Sequence, residues 1–176
     1  AARTAPAAGV LGMTDRLRMD INLTLSRNRI KNFTEYYTNY NTSDWTSEYL
    51  SKDLGDVDIA YSPSVTASGD LCFSPWKALN LHVIGKYVGR QYFDNTMSSS
   101  RMMDPFFVTN LRIDYSPEPG FVKGLDMQLL VNNIFNAGYE SNAYGGNWYE
   151  DGNEKTWAYY FPQAGINFMA RIGIRF

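Results

Sequence analysis

The sequence of 176 residues predicts an all-β fold, an antiparallel transmembrane β-barrel segment built from about six long strands. Polar and apolar residues alternate in runs of about nine to thirteen positions, the length that a tilted strand needs to cross the hydrocarbon layer of a bilayer. Aromatic residues stand near the ends of the apolar faces and aliphatic or small residues fill their middles, as the two interfaces of a bilayer favour. The connections between runs are alternately short and long, as they are in outer-membrane barrels.

The first three alternating runs cover residues 17–26, 65–73 and 79–88. Each carries apolar or small residues at the odd positions and mostly polar residues, such as Arg18 and Asp70, at the even positions. Because successive residues of a strand point to opposite faces, each run predicts one face for lipid and one for a wet lumen.

Three further runs cover residues 107–115, 125–132 and 164–176. A soluble edge strand rarely ends a chain with arginines on one face and an aromatic residue, here Phe176, on the other. The strands therefore account for residues 16–176, whereas the alanine-rich residues 1–15 are expected to be a linker or the end of a preceding element. The mid-strand residues predicted to face lipid are Leu23, Leu81, Leu111, Leu129 and Ile172, and the neighbouring Thr24 and Asn110 are predicted to face the lumen.

The connections predict the orientation of the strands. Residues 74–78 and 116–124 are short turns that contain proline. Outer-membrane barrels have short turns on the periplasmic side and long loops on the extracellular side. The long connections, which are predicted to be extracellular loops, are residues 27–60, 90–105 and 134–163.

Composition argues against several other classes of protein. The formal net charge is −2 and the sequence contains no basic block, so nucleic acid is not expected as a partner. No run of about eighteen apolar residues occurs, so no transmembrane helix is predicted. Neither a nucleophile-elbow motif, a phosphate-binding glycine loop nor a zinc-protease motif is present, and we expect no enzyme activity.

Cys72 and His82 are each the single residue of their type. No intrachain disulfide can form, and neither a cysteine cluster nor a zinc site of the usual kind is expected. Cys72 is predicted to be a buried, inert thiol and His82 a hydrogen-bonded residue of the lumen. Carboxylates gather in the long connections, but their spacing does not match an EF-hand. We therefore expect neither a metal site nor a cofactor.

Residues 129–139, LLVNNIFNAGY, resemble the penultimate-strand signature of TonB-dependent outer-membrane receptors. Residues 79–92, LNLHVIGKYVGRQY, resemble another strand of the same barrels. Residues 159–165, YYFPQAG, lead into the terminal strand as they do in receptors of the Bacteroidetes type. The resemblance covers about residues 16–176.

The resemblance implies that the chain is the C-terminal part of a larger barrel. Barrels of this family have about 22 strands closed around a plug domain, which is missing from this chain. The family's function would be active transport of a scarce nutrient, such as a ferric chelate, haem or cobalamin, across the bacterial outer membrane. The implied partners are lipid and lipopolysaccharide, the plug, a TonB-type energy-coupling protein that acts through the plug, and the nutrient ligand.

Ligand contacts are expected in the two long connections that are rich in aromatic residues, roughly residues 31–60 and 139–160. Rigid rings suit a bulky, partly apolar ligand, although the same rings could instead pack the loops together or contact lipopolysaccharide. Basic residues of the lumen would attract an anionic ligand or contact the plug, except that Arg112 is expected to pair with Asp70, Asp114 or Asp126. The predicted ligand-binding residues are Trp45, Tyr49, Lys86, Arg90, Trp148, Tyr149 and Trp157.

Two other functions remain compatible with the sequence. One is an outer-membrane barrel that does not transport, such as an adhesin or an assembly factor. The other is a soluble all-β binding domain, in which the alternating apolar residues would form the core between two sheets.

Overall fold

A computed structural model describes the backbone of residues 3–176 and the side chains of these residues except 11–13. The prediction of an all-β, antiparallel fold is confirmed, and the only helical element in the described part of the chain is one 3-10 turn, Ser99–Arg101. The strands are β1 (Arg3–Thr14), β2 (Leu17–Arg27), β3 (Arg29–Tyr40), β4 (Ser47–Asp58), β5 (Val65–Trp76), β6 (Leu79–Val88), β7 (Gln91–Tyr92), β8 (Met102–Met103), β9 (Phe106–Tyr115), β10 (Gly124–Asn132), β11 (Glu140–Glu150), β12 (Asn153–Pro162) and β13 (Asn167–Arg175).

Seven long strands form one sheet in the order β1-β2-β5-β6-β9-β10-β13. Every neighbouring pair is antiparallel, and all six strands predicted from the sequence lie in this sheet. The seventh strand is β1, which pairs with β2 along nearly its whole length. The sheet is not closed, so β1 and β13 are its edges within residues 3–176.

Two of the three long connections contain regular strands that the sequence did not reveal. Residues 27–60 contain the hairpin β3–β4, and residues 134–163 contain the hairpin β11–β12. Together these hairpins form a four-stranded sheet in the order β12-β11-β3-β4, joined by a short parallel contact between β11 and β3. We refer to it as the second sheet. Its strands carry tyrosine, asparagine and glutamate rather than an aliphatic stripe, so periodicity did not reveal them.

Strand register collects the apolar residues on one face of the seven-stranded sheet. One row across the sheet joins Leu71 to Val83, Val83 to Leu111, Leu111 to Val131 and Val131 to Phe168. Val83 is 45% exposed and Phe168 is 74% exposed. A soluble two-sheet core would cover this row, and its members are instead exposed or only half-buried.

The opposite face carries the polar row of the same register. Asn80 pairs with Asp114, Asp114 with Gln128, and Gln128 with Arg171. Side chains along this row are hydrogen-bonded, for example from Gln128 Nε2 to Asp114 Oδ1 at 2.6 Å. The two faces of one sheet therefore differ sharply in polarity, as the alternation predicts.

One small cluster of buried apolar residues lies outside the seven-stranded sheet. Phe93, Met103 and Ala143 form it, with Ala158 packed against them. These residues belong to the segment between β6 and β9 and to the hairpin β11–β12. The core therefore packs the segment of residues 89–105 against the second sheet.

The turn after β10 is organised by the buried Asn133, whose φ of 51° lies in the left-handed region. Its Oδ1 accepts a hydrogen bond from the backbone N–H of Ala137 at 2.8 Å, and its Nδ2 donates to the carbonyls of Ala137 and Ala164. Its own N–H donates to Asn110 Oδ1 at 2.9 Å. Asn133 therefore joins the end of β10 to the segment that enters β13, which explains the asparagine-rich motif of residues 129–139.

Replacing Asn133 by alanine should lower the free energy of unfolding by about 2–4 kcal/mol. The change removes the three side-chain hydrogen bonds to Ala137 and Ala164 and leaves alanine in the left-handed region, where no side-chain amide compensates for the strain. Chemical denaturation of the full-length protein measures the change. The control is Asn132→Ala, which removes only the cross-strand amide bond to Asn167 and should cost about 0.5–1.5 kcal/mol. Equal losses in the two variants would contradict this role of Asn133.

Candidate functional site

The second sheet and residues 89–105 lie at the same end of the seven-stranded sheet, opposite the short turns β1–β2, β5–β6 and β9–β10. This end holds three features that are candidates for contact with a ligand. They are a buried arginine with three carboxylates, an exposed aromatic face and a polar cavity. These features are close together because every long connection leaves the seven-stranded sheet on this side and returns to it on the same side.

Arg101 joins three segments of the chain. It is 3% exposed, and its Nη1 lies 2.8 Å from Asp94 Oδ2 while its Nη2 lies 2.8 Å from Glu154 Oε1. Nη1 is also 3.4 Å from Glu35 Oε1. The Nδ2 of Asn147 donates to both Glu35 and Glu154. Arg101 therefore ties residues 89–105 to β3 and β12, and we call this group the Arg101 cluster.

One face of the second sheet is turned toward the Arg101 cluster. Glu35, Asn147 and Glu154 lie on it, together with Tyr149, whose ring centroid is 4.1 Å from that of Tyr37 with the two rings tilted by 31°. Burial raises the pKa of the Tyr149 phenol, and the nearby carboxylates of Glu154 and Glu35 raise it further. This tyrosine stays neutral at physiological pH and packs the two hairpins together.

The other face of the second sheet exposes a set of aromatic rings. The ring of Tyr144 lies 5.4 Å from Tyr159, 5.5 Å from Trp157 and 5.7 Å from Phe161. Gly146 is opposite Trp157 in register, and a Cβ at this position would meet the indole Nε1 at 3.1 Å. The rings therefore cover each other's faces across the hairpin while their edges reach solvent.

The tips of the two hairpins are joined by hydrogen bonds. Asp151 accepts from the backbone N–H of Thr42 at 3.0 Å and from its hydroxyl at 2.5 Å, and Gly152 N–H donates to Asn39 Oδ1. The hydroxyl and then the backbone bond of Thr42 hold the pKa of Asp151 below its usual value. In the same way, Thr46 lowers the pKa of Asp44.

A cavity of about 670 Å³ lies where β2 passes into β3, β4 returns toward β5, and β6 ends. Three arginines line it, of which Arg29 pairs with Asp58 at 3.1 Å. The other two, Arg27 and Arg90, make no ion pair within the described residues. The cavity therefore has cationic groups available to an anionic ligand.

The seven residues predicted to bind ligand lie in several places. Arg90 lines the 670 Å³ cavity, and Lys86 lines a separate cavity of about 140 Å³ on the polar face. Trp45 is 90% exposed at a hairpin tip. The rest lie on the second sheet: Tyr49 is stacked on Tyr36, Trp148 donates to Glu150, Trp157 contacts Tyr144, and Tyr149 faces the Arg101 cluster.

Sequence reasoning identified Arg90 but missed the other two arginines of the 670 Å³ cavity, Arg27 and Arg29. The signal that could have found them is the pair Arg27 and Arg29, which stands at the end of the first alternating run. Arg101 carried no such signal, because two of its three carboxylate partners, Glu35 and Glu154, are far away in sequence.

Basic residues of the polar face are mostly paired. Arg112 Nε lies 3.0 Å from Asp114 Oδ2, and its Nη2 lies 3.8 Å from Asp70 Oδ2, in agreement with the pairing predicted from the sequence. Asp126 pairs instead with Arg175, at 3.4 Å. Within residues 3–176, no group of three or more His, Cys, Asp or Glu side chains is arranged to hold a metal ion. The described residues contain no helix that is long and apolar enough to cross a membrane.

No family model and no curated protein matches the sequence. Among the solved structures that resemble the fold are two receptors. The ferric enterobactin receptor PfeA of Pseudomonas aeruginosa, as its G324V mutant, has a TM-score of 0.55 at 15% identity over 95% of this chain and 21% of the receptor chain. The ferric-catecholate import receptor Fiu of E. coli K12, in its closed form, has a TM-score of 0.47 at 14% identity over 97% of this chain and 27% of that chain.

The comparison shows that the chain has the fold of part of a receptor barrel. It spans about a fifth of the length of PfeA and about a quarter of that of Fiu. Neither structure supports the narrower resemblance to Bacteroidetes-type receptors, which stays a prediction.

Replacing Arg101 by methionine should destabilise the second sheet, because Glu35, Asp94 and Glu154 would face one another without a cation. Two of these carboxylates are partly exposed, so we expect a loss near the lower end of the roughly 3–5 kcal/mol typical of broken buried pairs. Limited proteolysis of residues 89–105 and chemical denaturation measure it. The half-exposed pair Arg29–Asp58 provides the control, since Arg29→Met should cost about 0–1 kcal/mol.

Acid should loosen the contact between the hairpin tips. A carboxyl with a lowered folded pKa contributes stability that is present above its unfolded pKa and is lost as the pH falls through the folded pKa, here below 3.8. Amide exchange of Thr42 should therefore accelerate between pH 5 and pH 2.5, after correction for the intrinsic exchange rate. In Asp151→Asn the corrected rate should be faster at pH 5 and nearly independent of pH, and an unchanged rate would contradict the role of Asp151.

Proposed function

We propose that this chain forms part of the wall and the extracellular layer of an outer-membrane receptor that takes up a scarce nutrient. The observation that carries the proposal is the seven-stranded sheet, which exposes an aliphatic face and has a hydrogen-bonded polar face opposite. Its strands have nine to twelve residues, as crossing a bilayer at a tilt requires. The exposed aliphatic face would contact lipid, and the polar face would line the lumen.

The proposed transport would be energised through the TonB system, acting on a plug domain outside this chain. The support for it is the fold shared with PfeA, together with the sequence resemblance carried by residues 79–92 and 129–139. The second sheet would lie on the extracellular side, where its exposed rings would contact lipopolysaccharide or the incoming ligand.

The ligand class that the cavity favours is a ferric chelate with negative charge. The 670 Å³ volume lies within the range of sites for small ligands. Three arginines and two carboxylates, Asp58 and Asp104, line the cavity, and Arg27 and Arg90 form no ion pair within the described residues. Haem and cobalamin remain in the proposed class of nutrients, and competition between the three decides among them. Arg90 and Lys86 would attract the anion, and Trp45, Tyr49, Trp148, Tyr149 and Trp157 would act in the extracellular layer.

Arginine at the mid-strand Leu23 should lower the free energy of unfolding of the membrane-inserted protein by about 2–4 kcal/mol, because it would place a charge in hydrocarbon. The matched control is arginine at the adjacent Thr24, on the polar face, where the loss should be much smaller. Asn110 is also predicted to face the lumen and to tolerate arginine. It is not suitable as a second control, because its Oδ1 accepts a hydrogen bond from the backbone N–H of Asn133. Equal losses at Leu23 and Thr24 would contradict the assignment of the faces.

Replacing Arg90 or Arg27 by alanine in the full-length receptor should weaken binding of an anionic ferric chelate about ten- to hundredfold, the usual effect of losing a hydrogen bond to a charged group. Raising the salt concentration should weaken binding by the unmodified receptor as well. Binding and iron uptake are measured together, with the exposed Lys155→Ala on β12 as the control variant.

Unchanged affinity in the Arg90 and Arg27 variants would place recognition elsewhere in the receptor. A full-length protein that binds none of the three nutrients and supports no uptake would instead favour a barrel that does not transport.

A further inference from the structure

Cys72, His82 and Asp70 form a thiol–imidazole–carboxylate arrangement on the polar face of the seven-stranded sheet. Cys72 and His82 are partners in register on β5 and β6, and Asp70 precedes Cys72 by two residues on the same face. The Sγ of Cys72 lies 3.5 Å from His82 Nε2, and His82 Nδ1 lies 2.8 Å from Asp70 Oδ1. A nucleophile beside a base that a third group orients is the arrangement that activates cysteine.

Charged groups from the neighbouring strands surround the same ring. On β9, Asp114 Oδ2 lies 3.3 Å from His82 Nε2, and Arg112 Nη2 lies 3.1 Å from His82 Nδ1. On β2, Arg18 is the register partner of Cys72 and is bound to Asp20. The same Nη2 of Arg112 is also 3.2 Å from His82 Nε2. Each nitrogen of the imidazole nevertheless has a carboxylate within reach, and these two carboxylates offset the charge of Arg112 when the ring takes a proton from the thiol.

A cavity gives access to this group. Its volume is about 340 Å³, and Cys72, Ser74 and His82 line it together with residues 14–18 of the β1–β2 turn. Cys72 and His82 are only 6% and 4% exposed, so a large reagent could not approach them from the open face. A small molecule that enters the cavity would meet the thiol.

We propose that Cys72 is a modification site for small two-electron oxidants, of which hydrogen peroxide is the reference reagent. His82 accepts the thiol proton, and the sulfur attacks one peroxide oxygen. An S–O bond forms as the O–O bond breaks, sulfur is oxidised by two electrons, and the departing hydroxide takes the proton from His82 and leaves as water. The sequence alone favours an inert thiol; the adjacent imidazole and carboxylates are the observations that change this conclusion.

The test compares reaction rates at two pH values, because the ratio cancels differences in access to the thiol. The full-length protein in outer-membrane vesicles is treated with hydrogen peroxide at pH 8 and pH 6, and the remaining thiol is counted by alkylation after denaturation. An ordinary cysteine slows on the order of a hundredfold between these values, since it reacts as the thiolate. For Cys72 we expect less than a fivefold change.

Two variants complete the test. A reference thiol, Thr66→Cys in a Cys72→Ser background, lies on the same face of β5 between the uncharged register partners Thr24 and Val88 and should show the steep dependence. In His82→Gln, the reaction rate of Cys72 should depend on pH as steeply as that of the reference thiol. Heat-modified electrophoretic mobility checks that this variant is folded. The proposal is wrong if the ratio of the rates at pH 8 and pH 6 is the same for Cys72 as for the reference thiol. It is also wrong if this ratio stays small in His82→Gln, or if Cys72 reacts only after the protein is unfolded.

Discussion

Cross-strand register is the constraint on which the rest of the molecule depends. Hydrogen bonding between backbones fixes which residues stand side by side, and a shift by one residue would exchange the two faces of a strand. The register keeps Leu71, Val83, Leu111 and Val131 in one row, and Cys72, His82 and Arg112 in the next. Both the continuous apolar face and the network of charged groups behind it exist only in this pairing. The register also places the ends of three strand pairs where the long connections can meet.

The two sheets are stabilised by different means. The seven-stranded sheet has continuous backbone ladders and an exposed apolar face. The second sheet has a core of only a few apolar residues, and the Arg101 cluster supplements it with charge-assisted hydrogen bonds. Such bonds depend on direction, so they fix how residues 89–105 sit against the hairpins more closely than a small apolar core could. The polar cavity is bounded by residues that this arrangement positions.

Sequence patterns predicted the elements that obey a simple period and missed those that do not. The six runs with aliphatic residues at every second position all became strands of one sheet. The hairpins β3–β4 and β11–β12 escaped notice because tyrosine and tryptophan occupy both of their faces, as Tyr36 and Tyr37 do. The pairing of Arg112 with Asp114 followed from strand alternation, because both residues had already been placed on one face. The Arg101 cluster and the 670 Å³ cavity could not be predicted, since each joins segments whose proximity depends on how the connections fold.

The hairpin β3–β4 is continuous with the pair β2–β5, and this continuity bears on the order in which the chain can fold. Arg29 pairs with Asp58, Ile59 N–H then donates to Asn28, Ser26 N–H donates to Ser64, and Leu25 pairs with Val65. Pairing can therefore begin at the tip of the hairpin β3–β4, between residues close in sequence. It can then proceed toward the seven-stranded sheet by one residue pair at a time. The same continuity links β11–β12 to β10–β13 through Gln163 and Tyr139. Strands far apart in sequence thus meet without the entropy loss of closing a long flexible loop, because the preceding hairpin has already closed it.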